Sequence, residues 1–283
     1  MLYTLSNGRF TAEVNDHGAE LTSLKDASGR SYLWCGDRKY WHEHSPLLFP
    51  VVGRLTDDRY FLGEKKYDMP KHGFLKNEDF RVVEQTQEKI VLRYDDWQKY
   101  SDCFPFRYAV EITHEMTECG VRSTHKVINL DDETMYFSFG AHPGINCVDG
   151  GELRFEKTEN VRAYHFDNQQ LIDEDTLPFL ENASVFPIDL HTFDHGPYIL
   201  ENLNSSYIDV CPASGEYTVR VSFPGVPVVG LWAARSAPYV CVEPWYGIDD
   251  DHFQTGQLSE KKQIVTLPGK QEFSFSIAVE VVG

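Results

Sequence analysis

The sequence predicts an all-β fold, a large antiparallel β-sandwich, from three observations. Period-two alternation of apolar and polar residues recurs from end to end, turn-forming clusters separate the alternating runs at short spacing, and no stretch carries a long helical period. A parallel sheet needs helical crossovers between its strands, and a propeller needs an internal repeat; neither pattern is present.

The cleanest run places Phe106, Tyr108, Val110, Ile112, His114 and Met116 on one face and Arg107, Glu111, Thr113 and Glu115 on the other. This is the signature of a half-buried strand. After Thr117-Glu118-Cys119-Gly120 a second run, Val121 to Asn129, follows as the return arm of a hairpin. The same alternation appears at Tyr217-Val219-Val221-Phe223 and at Phe273-Phe275-Ile277-Val279-Val281. Further strands are expected at Phe10 to Asn15, Ile90 to Tyr94, Met135 to Gly140 and Tyr239 to Glu243, with turns such as Asp26-Ala27-Ser28-Gly29 between them. No linker divides the 283 residues, so one domain over 1–283 is expected.

With 44 acidic against 26 basic residues the formal net charge is −18, a field that repels nucleic acid and anionic membrane surfaces. A neutral small molecule is the easier partner. Neither a secretion-type start nor a membrane-spanning apolar run is present, so the expected location is the cytoplasm, and the expected state a monomer or homodimer. The six cysteines stand singly, without a Cys-x-x-Cys pair, and are expected as reduced, mostly buried thiols. Aromatic residues make up 13% of the chain, which suits a β core and also suits stacking on sugar rings.

Three segments place polar groups in constrained settings. The first is Phe49-Pro50-Val51-Val52-Gly53-Arg54-Leu55 with Pro70-Lys71-His72-Gly73-Phe74; its arginine reads equally as a surface charge and its His-Gly pair as a plain turn. The second is Ser138-Phe139-Gly140-Ala141-His142-Pro143-Gly144-Ile145-Asn146, in which Pro143 drives His142 into extended backbone and the flanking glycines leave room for a ligand. A hydrogen-bonded structural histidine is the alternative. The third is Tyr239-Val240-Cys241-Val242-Glu243-Pro244-Trp245-Tyr246-Gly247, where alternation sets Glu243 on the face of Tyr239 and Cys241. A carboxylate on so apolar a strand must pair with a cation or line a pocket, because burying it alone costs several kcal/mol or forces its protonation. Trp245 is a candidate pocket wall.

Taken together and in this order, the three segments resemble the aldose 1-epimerase (galactose mutarotase-like) superfamily, and most nearly its shorter bacterial branch encoded beside lactose-utilisation genes. The resemblance runs from Gly18-Ala19-Glu20-Leu21 to the Phe273–Val281 run. It implies a large β-sandwich with a sugar groove, Glu243 as general base and His142 as general acid. Arg54 and His72 would then orient the substrate, with Asp209 a candidate for the hydroxyl-binding aspartate. The chain departs from the family in having Thr56-Asp57-Asp58-Arg59 after Arg54 and Ala141-His142-Pro143-Gly144 around the acid.

The expected reaction is interconversion of the α and β anomers of an aldohexose of the glucose or galactose type, with no cofactor and no required metal. Mutarotation needs one proton taken from the C1 hydroxyl and one given to the ring oxygen. His42-Glu43-His44 is the one histidine pairing with metal-like spacing, and is expected on an exposed loop. The alternatives are a hexose-6-phosphate mutarotase and a non-catalytic sugar-binding module. A glycoside hydrolase would place two carboxylates about the bond where this chain offers a carboxylate and a histidine.

Overall fold

The computed structural model describes residues 1–147, 150–167 and 170–282. The chain is all-β: its described residues form strands joined by turns, with four short 3-10 helices at Thr56–Asp58, Leu75–Asn77, Trp97–Tyr100 and Leu258–Glu260. Among the described residues no helix is long and apolar enough to cross a membrane.

One antiparallel sheet of fifteen strands dominates. From one edge it runs Leu47–Leu48, Phe139–Ala141, Tyr239–Tyr246, Val228–Trp232, Tyr198–Glu201, Gly151–Phe166, Tyr207–Pro212 and Val219–Ser222. It continues through Glu272–Val281, Gly120–Asn129, Tyr108–Met116 and Lys89–Tyr94 to Arg81–Gln85. The segment Gly144–Asn146 also pairs with Tyr239–Tyr246, and Ile172–Ile188 pairs with Gly151–Phe166. A three-stranded sheet, Leu2–Ser6, Phe10–Asn15 and Glu20–Asp26, packs its alternate residues Phe10, Ala12 and Val14 into the same core as Ile112, Val121 and Ile277 of the large sheet. His114 helps tie the two together: its Nδ1 lies 2.8 Å from the Ser123 hydroxyl and its Nε2 lies 2.9 Å from the Ala19 carbonyl oxygen. It is a satisfied core histidine, and burial pushes its pKa down to about 4.

The alternation at 106–116 becomes the strand Tyr108–Met116, paired residue for residue with Gly120–Asn129. Phe10–Asn15 forms with the expected bounds. Two expectations are corrected. Met135 to Gly140 is not one strand: Met135–Phe137 pairs with Val265–Leu267 in a separate ribbon, while Phe139–Ala141 joins the large sheet. The break falls at Ser138, whose N–H leaves the ladder and donates to the Pro50 carbonyl at 2.8 Å. The cysteines are free, but only Cys147, Cys211 and Cys241 are buried, while Cys35 is exposed.

The strand Tyr239–Tyr246 runs three residues beyond its expected end and straight through Pro244. On one side it pairs continuously with Val228–Trp232. On the other the ladder is interrupted, with Gly140 opposite Trp245 and Gly144 opposite Cys241, and between them only the Val242 N–H bridges the strands, donating to the Pro143 carbonyl at 3.3 Å. Pro143 and Pro244 both lie in that stretch, and neither has an N–H to continue a ladder. The chemistry of the site is built in this gap.

Candidate active site

The register on either side of the gap carries His142 across from Glu243, so the two face each other as cross-strand neighbours. His142 Nε2 lies 3.0 Å from Glu243 Oε2. Both are buried polar residues at the floor of a cavity of about 260 Å³, whose walls include Trp41, Trp232, Trp245, Lys71, His72 and Asp249.

The aromatic walls account for the electrostatics. The Trp41 ring lies 4.8 Å from the imidazole of His142 between centroids, and Trp232 lies 5.5 Å away at a steep angle. Enclosure of this kind removes water, and it depresses the His142 pKa. Burial also raises Glu243 well above the usual carboxylate range; the Asp249 carboxyl adds to the rise, while Lys71 and the indole of Trp245 oppose it. Both shifts disfavour charge, and the short contact holds one proton between the two groups. The pair therefore carries one proton to give and one lone pair to receive, whichever partner holds the proton.

Trp245 has a purpose-built slot. A Cβ on Gly140 would fall 2.6 Å from its ring, and one on Gly230 would fall 2.7 Å from it. These glycines sit on the two strands that flank Tyr239–Tyr246, so the indole lies flat across both neighbours and forms the cavity wall.

His72 enters from a turn with φ of 63°, a left-handed conformation uncommon for a side chain of this size. Its Nδ1 accepts a hydrogen bond from the Gly53 N–H at 3.1 Å, which assigns the proton of the neutral ring to Nε2. Burial first, and the nearby charge of Lys71 second, keep its pKa well below the ordinary histidine value. His72 thus presents a fixed neutral donor beside the catalytic candidates.

The other expected residues divide. Trp245 and His72 line the cavity with Glu243 and His142. Arg54 is not among the cavity-lining residues; its Nε and Nη2 bind Asp58 at 3.0 and 3.1 Å. Its backbone N–H donates to Asp249 Oδ1, on the cavity wall, at 2.7 Å. Asp209 lies on the strand Tyr207–Pro212, where it forms a two-point pair with Arg220 at 2.7 and 2.9 Å, apart from the cavity lining. His42, Glu43 and His44 split: Glu43 lines the cavity and binds Lys76 at 2.8 Å, whereas the His44 backbone and ring turn to Glu20.

Lys71, Asp249, Trp41 and Trp232 are the residues that sequence reasoning did not single out. Lys71 adjoins His72 in a segment already flagged, so its neighbourhood was the available signal. Asp249 is buried, and its carboxyl sits where a Cβ of Gly53 would be, 2.1 Å from that position. Only a glycine at 53 admits it.

An all-β chain with a buried carboxyl–imidazole pair under a tryptophan-walled cavity has the form of a sugar isomerase of the mutarotase type. The aldose 1-epimerase family matches residues 1–228, and the chain belongs to that family. The matched segment includes His142 and ends before Glu243. The chain is 28% identical over 282 residues to the chromosomal LacX protein of Lactococcus lactis subsp. lactis, covering 93% of this chain and 94% of that one. Its fold is that of a galactose mutarotase-like protein from Lactobacillus casei, with a TM-score of 0.93, 26% identity and full coverage of both chains. A galactose mutarotase related enzyme from Lactobacillus acidophilus gives a TM-score of 0.92 at 28% identity, over 100% of this chain and 98% of that one.

Proposed function

We propose that the chain is a cytoplasmic mutarotase, a single catalytic domain over residues 1–283, that interconverts the anomers of an aldohexose of the glucose or galactose type. The observation that carries this reading is the His142–Glu243 contact of 3.0 Å at the floor of the cavity. With the shared proton on His142 and Glu243 ionised, Glu243 takes the C1 hydroxyl proton and His142 protonates the ring oxygen, so that the C1–O5 bond breaks and the open-chain aldehyde forms. Rotation about C1–C2 presents the other face of the carbonyl. The ring oxygen then returns its proton to His142 as it attacks, and Glu243 returns its own to the new C1 alkoxide. No net proton is consumed, which is why one proton on the pair suffices.

His72 Nε2–H supplies a neutral donor to a ring oxygen or hydroxyl, and Trp41, Trp232 and Trp245 offer apolar faces to the pyranose. The orienting role expected of the Arg54 side chain falls instead to Lys71 and His72. The test is anomer exchange of α-glucose and α-galactose followed by NMR: exchange far above the spontaneous rate is expected from the purified protein with no glycoside present. A sugar-binding module would bind the ring and leave its exchange rate unchanged.

A second reading, a hexose-6-phosphate mutarotase, has one observation in its favour. Lys71 is exposed at the cavity and has no ion-pair partner among the described residues, whereas Lys76 is neutralised by Glu43. Against it stand the net charge of −18 and the acidic Glu43 and Asp249 on the same walls. The ratio of kcat/KM for glucose over glucose 6-phosphate is expected to exceed one at physiological salt; a large inversion assigns the phosphorylated substrate.

The pH profile follows from the opposed shifts. The pair is competent with one proton, so kcat/KM falls when a second proton enters at low pH and when the shared proton leaves at high pH. Because His142 is lowered and Glu243 raised, both limbs move outward from the values of free side chains. A plateau wider than free side chains would give is expected, with apparent values that belong to the pair. A limb centred near an ordinary histidine value, about 6.5, would show that the imidazole titrates alone.

A further inference from the structure

Directly beneath the acid–base pair lies a third group that mutarotation does not use. Cys241 shares a face of the strand Tyr239–Tyr246 with Glu243 and is fully buried. No hydrogen bond to its thiol is found among the described residues. One ligand atom each from His142, Cys241 and Glu243 lie within 4.8 Å of one another, the only such group among the described residues. We propose that these three side chains form a binding site for a thiophilic divalent cation of the zinc class, and that an occupied site switches the acid–base pair off.

The geometry and the donor set agree. Tetrahedral zinc with bonds of about 2.0–2.3 Å sets its ligand atoms about 3.4–3.6 Å apart, so side-chain movements of about 1 Å or less would close the present arrangement on the ion. One thiolate, one imidazole and one carboxylate suit zinc or cobalt, and do not suit magnesium or calcium. His142 and Glu243 line the cavity, so the fourth position opens onto it and takes a water or a sugar oxygen.

The proton balance makes the site antagonistic to catalysis. The metal-free site holds one proton on the Cys241 thiol and one on the His142–Glu243 pair. Binding expels both to solvent and occupies the lone pairs that held them, leaving nothing to give or to receive. Affinity therefore rises with pH, because the ligands must give up these protons before the ion binds.

Cobalt(II) is the probe, since a thiolate–cobalt bond gives a near-ultraviolet charge-transfer band that needs no activity to be seen. The wild-type protein is expected to show that band with tetrahedral d–d bands, to lose both to added zinc, and to slow anomer exchange at least tenfold in zinc. Cys241→Ser should retain metal-free exchange, lose the charge-transfer band and bind at least about 100-fold more weakly, the upper end of what losing even an outer-shell partner costs. Should Cys241→Ser misfold in a thermal scan, Cys241→Ala carries the same comparison. Absence of the band in folded wild-type protein, or an unchanged band in the Cys241 variant, overturns the site. The claim that metal stops catalysis rests on the mutarotase reading, but the band does not: a cobalt band in a protein with no metal-free exchange overturns the mutarotase and leaves the metal site standing.

Discussion

Glu243→Gln is expected to lower kcat for anomer exchange by roughly 10²–10⁴-fold, the range for a positioned acid or base, with a much smaller change in sugar affinity. The substitution keeps the shape and hydrogen-bonding capacity of the side chain and removes its proton exchange. Its effect on stability has the opposite sign. Burial raises the folded-state pKa of Glu243, so the group favours the fold fully only below its unfolded value. That contribution is lost as pH rises from the unfolded towards the folded value. At neutral pH Gln lacks this penalty, and each kcal/mol recovered should raise Tm by about 2–4 °C. A variant that is both inactive and at least as stable as wild type is the expected result. A destabilised variant would mark Glu243 as a structural ion-pair partner, and a stable variant of near wild-type rate would remove it as the base.

His142→Asn is expected to lose a comparable factor, and the double variant to be little worse than either single one. The reason is the shared proton: once one partner is gone, the other has nothing with which to complete the cycle, so the penalties do not multiply. Saturation-transfer NMR on the four proteins at one pH measures all the rates needed. A double variant impaired by the full product of the single effects would mean that the two residues act independently, against the contact of 3.0 Å.

What the sequence made legible was mostly local. Glu243, placed by alternation on the face of Cys241, lies there in the fold, and His142 is held where Pro143 interrupts a ladder. The strands Phe10–Asn15 and Tyr108–Met116 were readable because one face of each is packed and the other wet. The hairpin of Gly151–Phe166 and Ile172–Ile188 was not read. Its exposed stretch Glu156-Lys157-Thr158 interrupts the alternation, and its pairing shifts register several times. The site's remaining parts were hidden by distance along the chain. The hydrogen bond from the Arg54 N–H to Asp249 spans 195 residues, and no local pattern announces that the backbone of this position reaches a cavity-wall carboxyl while its guanidinium binds Asp58. Trp41 and Trp232 could not be told from core tryptophans until the strands were assembled around His142.

The register that sets His142 across from Glu243 also determines which kinds of genetic change the site can survive. Alternation has a period of two, so inserting or deleting a single residue upstream in the strand Tyr239–Tyr246 would turn Val242 or Pro244 toward the cavity and Glu243 away from it. A point substitution at a wall position alters one contact, whereas a one-residue length change replaces the whole floor at once. Divergence of this chain should therefore proceed by exchange of side chains at fixed strand length, with insertions confined to the turns between strands.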